Sequence, residues 1–392
     1  MKKTMLFAAI AALVLVAGCA KNIDLAPTAT TQHAIGFSNY APRSLTKADG
    51  TYAESTTLIN GKVFDVFAYA TAYNTAFTTA AYGTKFMDAV DVTYGTGGDT
   101  DATKNDYSPL RYWPSGDTPD WLTFWAYYPV QSGNGITYTA PDGSNGVGSY
   151  AFTTAAAAGS MVDFMVADVV NDKTYATTTN GVVPLTFRHQ LAKIKVVFKT
   201  DNTDGFTKVV LTDAKINNIK TTGTLSTTYN AGTTTTDWGT TPAIESPAKV
   251  FDVYLSGADI DNEVLTTSVV GGADADLFLM IPQAMIAKTG TNPQNITVTW
   301  DVKTFDTEAN ATANGETATT VGSDGLLSIT HNTAVLYLDE CVSTDGGSTQ
   351  ADIDWAKNSF VTYTITIGPK PIRFTATVAE WNTVQNGFFN VQ

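Results

Sequence analysis

The sequence is short of the residues that carry most enzyme chemistry. Its 392 residues include three histidines, His33, His189 and His331, and two cysteines, Cys19 and Cys341. The histidines lie far apart, without the His-x-x-x-His spacing of a zinc site. No Gly-x-Ser-x-Gly elbow and no phosphate-binding glycine loop is present. Charged residues make up only 15% of the chain, and acidic residues outnumber basic ones by 37 to 23, for a net charge of −14. No basic stripe is available to neutralise phosphates, which excludes nucleic acid as a partner. An acidic surface keeps a protein soluble and does not by itself name a partner. The stretch 95–106 (GTGGDTDATKND) spaces Asp99, Asp101 and Asp106 as a calcium loop would. It lacks the central glycine and distal glutamate of such a loop, so it reads as a solvated hairpin turn. Asp88 and Asp91 are read the same way, because glycosidase work needs two carboxylates converging in a cleft. The expectation is a protein with no catalytic residue, cofactor or metal.

Long apolar runs are also scarce. Met5–Val16 is apolar after Lys2 and Lys3, but a span of the bilayer takes about 20 residues. A charged start, a short apolar run and a small-residue end read as a secretion signal. The run closes in Leu15-Val16-Ala17-Gly18-Cys19. Small residues at Ala17 and Gly18 let a signal peptidase reach the backbone, and the Cys19 thiol is the expected acceptor of lipid, palmitate included. Several acyl chains, at about 0.8 kcal/mol per buried methylene, make such anchoring stable. With Cys19 acylated, Cys341 has no cysteine to pair with and reads as a small residue in or near a strand. The polar stretch 20–32 suits a flexible tether. His33–Asn39 follows as a short strand with Ile35 and Phe37 on one face, and Ala41–Gly50 reads as an exposed loop carrying Pro42, Arg43 and Lys47.

What is abundant favours sheets. Hydrophobic residues make up 43% of the chain, enough for a full core, and 17 Tyr, 19 Phe and many Thr suit a pleated surface. Lys62–Ala70 and Trp121–Val130 are apolar on both faces, as central strands are. Leu191–Lys199 alternates, with Ile194, Val196 and Phe198 opposite Lys193, Lys195 and Lys199. Ile296–Lys303 and Ser359–Ile367 alternate likewise. Met161–Ala167, Val182–Phe187, Lys208–Thr212, Val250–Leu255, Leu277–Ile281 and Ile372–Val378 add shorter strands. Leu326–Thr330 and Val335–Leu338 read as a hairpin around His331–Ala334, and Thr221–Asp237 as a polar stretch. Helical periodicity is weak throughout, with one short turn expected near Ala151–Gly159. Many short strands with Gly, Asn and Asp turns indicate an all-β sandwich. Trp113, Trp121, Trp125, Tyr127 and Tyr128 cluster in sequence. Such rings either stack on sugars or pack a core, and on strands core packing is the commoner use.

In order along the chain stand the lipobox, Ile35-Gly36-Phe37-Ser38 followed by Thr46-Lys47-Ala48, KVFDVFAY from Lys62, and RYWP from Arg111. LTFWAYYP from Leu122, DFMVAD from Asp163 and VPLTFRHQLAKIKVVF from Val183 come next, then SFVTYTITIG from Ser359 and IRFTATVAEW from Ile372. This series resembles the fimbrillin family, lipoprotein precursors of type V pili in anaerobic Gram-negative bacteria of the Bacteroidales type. The resemblance implies two tandem β-sandwich domains of transthyretin-like, Greek-key topology, placed here at 51–184 and 185–392. A signal peptide (1–18) and a lipidated segment (19–50) would precede them. It implies surface exposure on the outer membrane through Cys19, then cutting after Arg43 or Lys47 by a trypsin-like or arginine-specific surface protease. The strand with Ile35 and Phe37 would leave, and a strand from another pilus subunit would enter. Val384, Phe389 and Val391 in the C-terminal stretch are the candidate plugs. A host or bacterial receptor would be the partner of a tip adhesin. The rival reading is a monomeric surface lipoprotein that binds glycans or host protein through Trp113 and Trp121.

Overall fold

A computed structural model describes residues 32–40, 44–48, 51–55, 62–93, 107–142, 146–230, 232–239, 249–255, 257–273, 276–341, 354–368 and 373–380; for 39–40, 44–48, 51–55 and 373–380 the backbone alone is described. The chain divides into Met1–Gln32 and His33–Gln392, and every described strand and helix belongs to the second unit.

In chain order its first strands are β1 (Gly36–Tyr40), β2 (Ser44–Ala48), β3 (Thr51–Ser55), β4 (Val63–Thr71), β5 (Thr84–Thr93), β6 (Trp121–Tyr128), β7 (Ile136–Thr139) and β8 (Ser149–Thr153). Then come β9 (Met165–Ala167), β10 (Val170–Lys173), β11 (Val182–His189), β12 (Ala192–Thr200), β13 (Thr207–Ile219), β14 (Thr222–Asn230), β15 (Thr233–Asp237) and β16 (Lys249–Asp252). The last are β17 (Tyr254–Leu255), β18 (Ala258–Asp259), β19 (Glu263–Val264), β20 (Phe278–Met280), β21 (Asn295–Phe305), β22 (Leu326–Tyr337), β23 (Ser359–Ile367) and β24 (Arg373–Glu380), with one helix, α1 (Glu308–Asn314), before β22. The fold is all-β.

Four larger sheets organise it. A seven-stranded sheet has the order β1-β11-β9-β6-β4-β5, with β10 also on β6. Its central strands β4 and β6 are buried on both faces, as their unbroken apolar sequences require. Phe64, Val66, Leu122 and Phe124 enter one core, and Phe67, Tyr69, Trp125 and Tyr127 enter another. Pro129 follows β6, where a residue without an N–H cannot extend the ladder. The second core is closed by the sheet β15-β14-β8-β7, through Ile136, Tyr150, Phe152 and Leu225. The third core lies between the sheets β20-β12-β23-β24 and β16-β13-β21-β22. Ile194, Val196 and Phe198 of β12 and Val361, Tyr363, Ile365 and Ile367 of β23 face it, as their alternation indicates. β11 and β12 are separated by Gln190 and Leu191 alone, so one nearly continuous run of chain serves both the first and the third core.

Four local readings change. Leu326–Tyr337 is one straight strand and not a hairpin, because it pairs along β21 from Leu326 opposite Phe305 to Tyr337 opposite Asn295. The polar stretch Thr221–Asp237 is the hairpin β14–β15; it turns near Gly232 (φ +86°) and buries Leu225, Thr227 and Tyr229 at every second position. Ala41–Gly50 is not all loop, since Ser44–Ala48 pairs antiparallel with Thr51–Ser55. The helix α1 was not legible: it has seven residues and buries only Ala311, too little for a periodic signal. Local chemistry still marks its ends. The Thr307 hydroxyl accepts the Asn310 N–H (3.1 Å), and the buried Lys303 ammonium donates to Gly315 O and Glu316 O (3.1 Å each). A cation there answers the orphan carbonyls of the helix end.

Asp65 is the least expected core residue. It sits on β4, 3% exposed, opposite Asp91 of β5 and Tyr127 of β6, and accepts the Gln131 N–H at 3.2 Å. Burial raises its pKa from 3.8 to about 6; Asp91 adds to the rise, and the nearby Tyr127 hydroxyl and the Gln131 N–H oppose it. The folded chain therefore holds this proton to higher pH than the unfolded chain does. The site favours folding most below about pH 4, and that advantage is lost as pH rises through about 6. Asp65→Asn should remove this dependence. In denaturant titrations between about pH 4 and pH 7, the wild-type midpoint falls relative to the variant; a constant difference would refute the assignment.

Candidate functional site

β1 stands at one end of the seven-stranded sheet and runs parallel to β11, with Gly36 opposite Val182 and Tyr40 opposite Thr186. More than 140 residues separate the paired positions (182 − 36 = 146). Side chains two apart on a strand share a face, and here Ile35 (2% exposed) and Phe37 (0%) both point into the first core. The Phe37 ring meets Tyr107 edge-on at 5.7 Å and Phe124 at 6.0 Å.

Just upstream of β1 the backbone is held from both sides. On the β11 side the Gly36 N–H donates to Gly181 O at 3.0 Å. On the other side the Ile35 N–H donates to Arg111 O and the Trp113 N–H donates to His33 O, both at 2.9 Å. Ala34 forms an antiparallel bridge with Tyr112. The Tyr107 hydroxyl donates to Ile35 O at 2.9 Å and accepts the Arg111 N–H at 3.2 Å. Burial pushes the Tyr107 pKa up, which keeps the hydroxyl a neutral donor. Residues Tyr107–Trp113 thus form a strap across the start of the strand.

The strap is joined to the β11 side by one corner. The Trp113 indole N–H donates to Gly181 O at 3.0 Å. Gly181 has φ +77°, and a Cβ there would lie 3.0 Å from Trp113 Nε1 and 3.2 Å from both Ala34 O and Tyr175 Cδ2. Glycine meets the left-handed backbone and the close approach together. His33 closes the entrance, its ring stacked on Tyr175 at 3.7 Å and 9°. This is a binding site for an extended strand. Backbone groups fix its register, and two apolar pockets fix which side chains fit.

The structure brings Ile35 and Phe37 together in this site. Lys47 lies in β2, in the hairpin after β1. Cys19, Arg43, Val384, Phe389 and Val391 lie outside the described residues, as do Asp99, Asp101 and Asp106. Cys341 is fully buried in the third core, where burial raises its thiol pKa far above the ordinary range and suppresses the nucleophilic thiolate. His189 Nδ1 lies 2.7 Å from Asp163 Oδ2 at the β11–β12 junction, and His331 Nδ1 lies 2.6 Å from Asp301 Oδ1 across β21 and β22. Among the described residues no group of three His, Cys, Asp or Glu is placed to hold a metal. Trp113, Trp125 and Tyr127 are core residues, and Trp121 is half-buried with its ring edge-on to Tyr73. The strap, Gly181 and Tyr175 escaped sequence reasoning as a unit. Arg111-Tyr112-Trp113 was visible as a motif, but nothing in the sequence joins it to Gly181 or Tyr175.

No curated protein matches the sequence at a significant level. A crystal structure of a fimbrial protein from Bacteroides vulgatus is similar, with 18% identity, 89% of this chain and 99% of that chain covered, and a TM-score of 0.58. A candidate cell adhesion protein from Bacteroides uniformis has 14% identity, 90% and 99% coverage, and a TM-score of 0.45. The tip fimbrial protein Mfa3 from Porphyromonas gingivalis, truncated at its C-terminus, has 8% identity, 89% and 100% coverage, and a TM-score of 0.40. At these identities the first shows a shared fold, and the other two add nothing to that. The model of the Fimbrillin-like family, Mfa_like_1, matches residues 46–381. With most of its length matched by that model, the chain belongs to the fimbrillin-like family.

Proposed function

We propose that this protein is a structural subunit or tip adhesin of a type V pilus, assembled by replacement of β1. In this reading the chain is exported as an outer-membrane lipoprotein acylated on Cys19. A trypsin-like or arginine-specific surface protease cuts it after Arg43 or Lys47, and the segment carrying Ile35 and Phe37 leaves. A strand of another subunit then takes the vacated place. The observation that carries the proposal is the position of β1. It precedes both basic residues, ends its sheet, and fills two core pockets without being covalently continuous with β11 or the strap. Burying Ile35 and Phe37 contributes about 1.5–3 kcal/mol each, and the backbone bonds add to that. A cut alone therefore leaves the strand in place, and release requires a competitor of equal fit.

The C-terminal stretch, with the candidate plugs Val384, Phe389 and Val391, is the candidate, and it contains a partial copy of β1. β1 reads Gly36-Phe37-Ser38-Asn39-Tyr40, and Gly387-Phe388-Phe389-Asn390-Val391 carries the same residue at three of the five positions. In that frame Phe388 takes the place of Phe37 and Val391 that of Tyr40, while Asn386 replaces Ile35. A frame shifted by one puts Phe389 in the Phe37 pocket instead. The rival, glycan binding by a monomeric lipoprotein, has less support. Trp113 is 4% exposed and its indole N–H is committed to Gly181.

Purified precursor treated with trypsin should yield a new N-terminus at Ser44 or Ala48 and SDS-resistant multimers. Persistent monomer, or a surface form that still starts at Cys19, would defeat the proposal. Phe37→Ala should destabilise the uncut precursor by about 3–5 kcal/mol, read from denaturant unfolding. Phe388→Ala should leave the uncut precursor unchanged and block multimers after cleavage, with Phe389→Ala much milder. The reverse order would select the shifted frame, and no effect from either would remove the C-terminal stretch as donor.

A further inference from the structure

A second edge of the molecule has the features of an interface. β22 ends the five-stranded sheet, and among the described residues no strand pairs with its outer side. At 12 residues it is the longest sheet-edge strand described. Proteins blunt such edges with lysine, proline, inward charges, bulges or short strands. β22, Leu-Leu-Ser-Ile-Thr-His-Asn-Thr-Ala-Val-Leu-Tyr, contains no Asp, Glu, Lys, Arg or Pro. Its ladder with β21 has one register shift, at Leu327 near the start of the strand, and is unbroken from Ser328 to Tyr337. Other edge strands differ. β5 carries Lys85, Asp88 and Asp91, a left-handed Ala89 (φ +45°) and two register shifts, while β7, β16 and β20 are four residues or fewer.

The face of β22 turned away from the core presents Ile329, His331, Thr333, Val335 and Tyr337, and the bulge residue Leu327 extends the row by its exposure. Leu327 is 58% and Val335 47% exposed, large values for apolar side chains beside an unpaired backbone. The row is apolar at both ends and polar in the middle, so it reads nearly alike in both directions. Antiparallel pairing of two copies about a two-fold axis at Asn332 sets Leu327 against Tyr337 of the partner subunit. It sets Ile329 against Val335 of the partner subunit and His331 against Thr333 of the partner subunit. Sliding the pair by two residues instead sets His331 against His331 of the partner subunit, or against Val335 of the partner subunit. The register centred on Asn332 sets two apolar pairs at each end, where either slid register keeps one.

We propose that β22 is a self-complementary docking edge through which two copies of this chain pair antiparallel, centred on Asn332. The contact requires no cleavage and no strand replacement, so it stands or falls apart from the assembly reading. With a net charge of −14 on each copy, a strand that carries no Asp or Glu of its own, and whose His331 contacts the neighbouring Asp301 at 2.6 Å, lowers the electrostatic cost of bringing two copies together.

Sedimentation equilibrium of the uncut full chain should show a monomer–dimer equilibrium. Ile329→Lys with Val335→Lys sets like charges opposite each other twice across the seam and should weaken the dimer at least about tenfold. Ile329→Glu with Val335→Lys sets opposite charges at the same places and should restore it. Both positions are outside the core, so circular dichroism and unfolding midpoints should match wild type in both variants. A wild-type chain that stays monomeric, or a Lys/Lys variant that dimerises like wild type, would overturn the proposal. Equal weakening by the Lys/Lys and Glu/Lys pairs would overturn the register and the proposal with it.

Discussion

A sheet edge is a row of N–H and C=O groups that water, another strand or nothing must satisfy. The edge of β11 is satisfied by β1, a strand that reaches it from the far end of the chain, and the first core depends on that arrival. Phe37 occupies the space between Tyr107 and Phe124, and the strap at Tyr107–Trp113 has its partners in the backbone of His33–Ile35. Without the strand, Arg111 O, Gly181 O and the Trp113 N–H each lose a partner while two apolar pockets open. Backbone pairing on two sides makes the site selective for an extended segment and indifferent to most of its sequence. The pockets restore selectivity at alternate positions.

The interior explains the composition. A sheet buried on both faces needs apolar residues at successive positions of β4 and β6, which leaves little room for charge. The ionisable groups that do enter are tied to structure. His189 meets Asp163 where the chain passes from the first sheet to the third core, Lys303 closes the end of α1, and Asp65 keeps its proton up to about pH 6 because burial and Asp91 both disfavour its charge. The geometry provides surfaces and strand sites, in keeping with the fimbrillin-like family.

The sheet edges are treated unequally. β5 is broken by register shifts and studded with charge, whereas β22 runs without a shift from Ser328 to Tyr337, carries no Asp, Glu, Lys or Arg, and is apolar at its ends. Edges that must not pair are normally disrupted, so an undisrupted one is a feature to be explained by what it meets. The β1 groove and the β22 edge lie in different sheets, and each offers main-chain hydrogen bonds flanked by apolar side chains.

Sequence by itself determined the all-β class, the central strands β4 and β6, the inward faces of β12, β21 and β23, and the pairing of Ile35 with Phe37 on one face. These follow from periods of two residues and from runs too apolar for any exposed element. It also carried the family resemblance, motif by motif. Tertiary structure alone decided that β1 lies beside β11, since a parallel pairing across 146 residues leaves no local signal. It decided that Leu326–Tyr337 is one strand, because the partner that holds it straight is β21 and not its own second half. It made a hairpin of a threonine-rich stretch that reads only as polar, because β8 supplies the ladder and Leu225 and Tyr229 the buried face. And it joined Tyr107, Trp113, Tyr175 and Gly181 around the strand: each is ordinary in sequence, and their role exists only where two segments of chain far apart in sequence converge on one backbone.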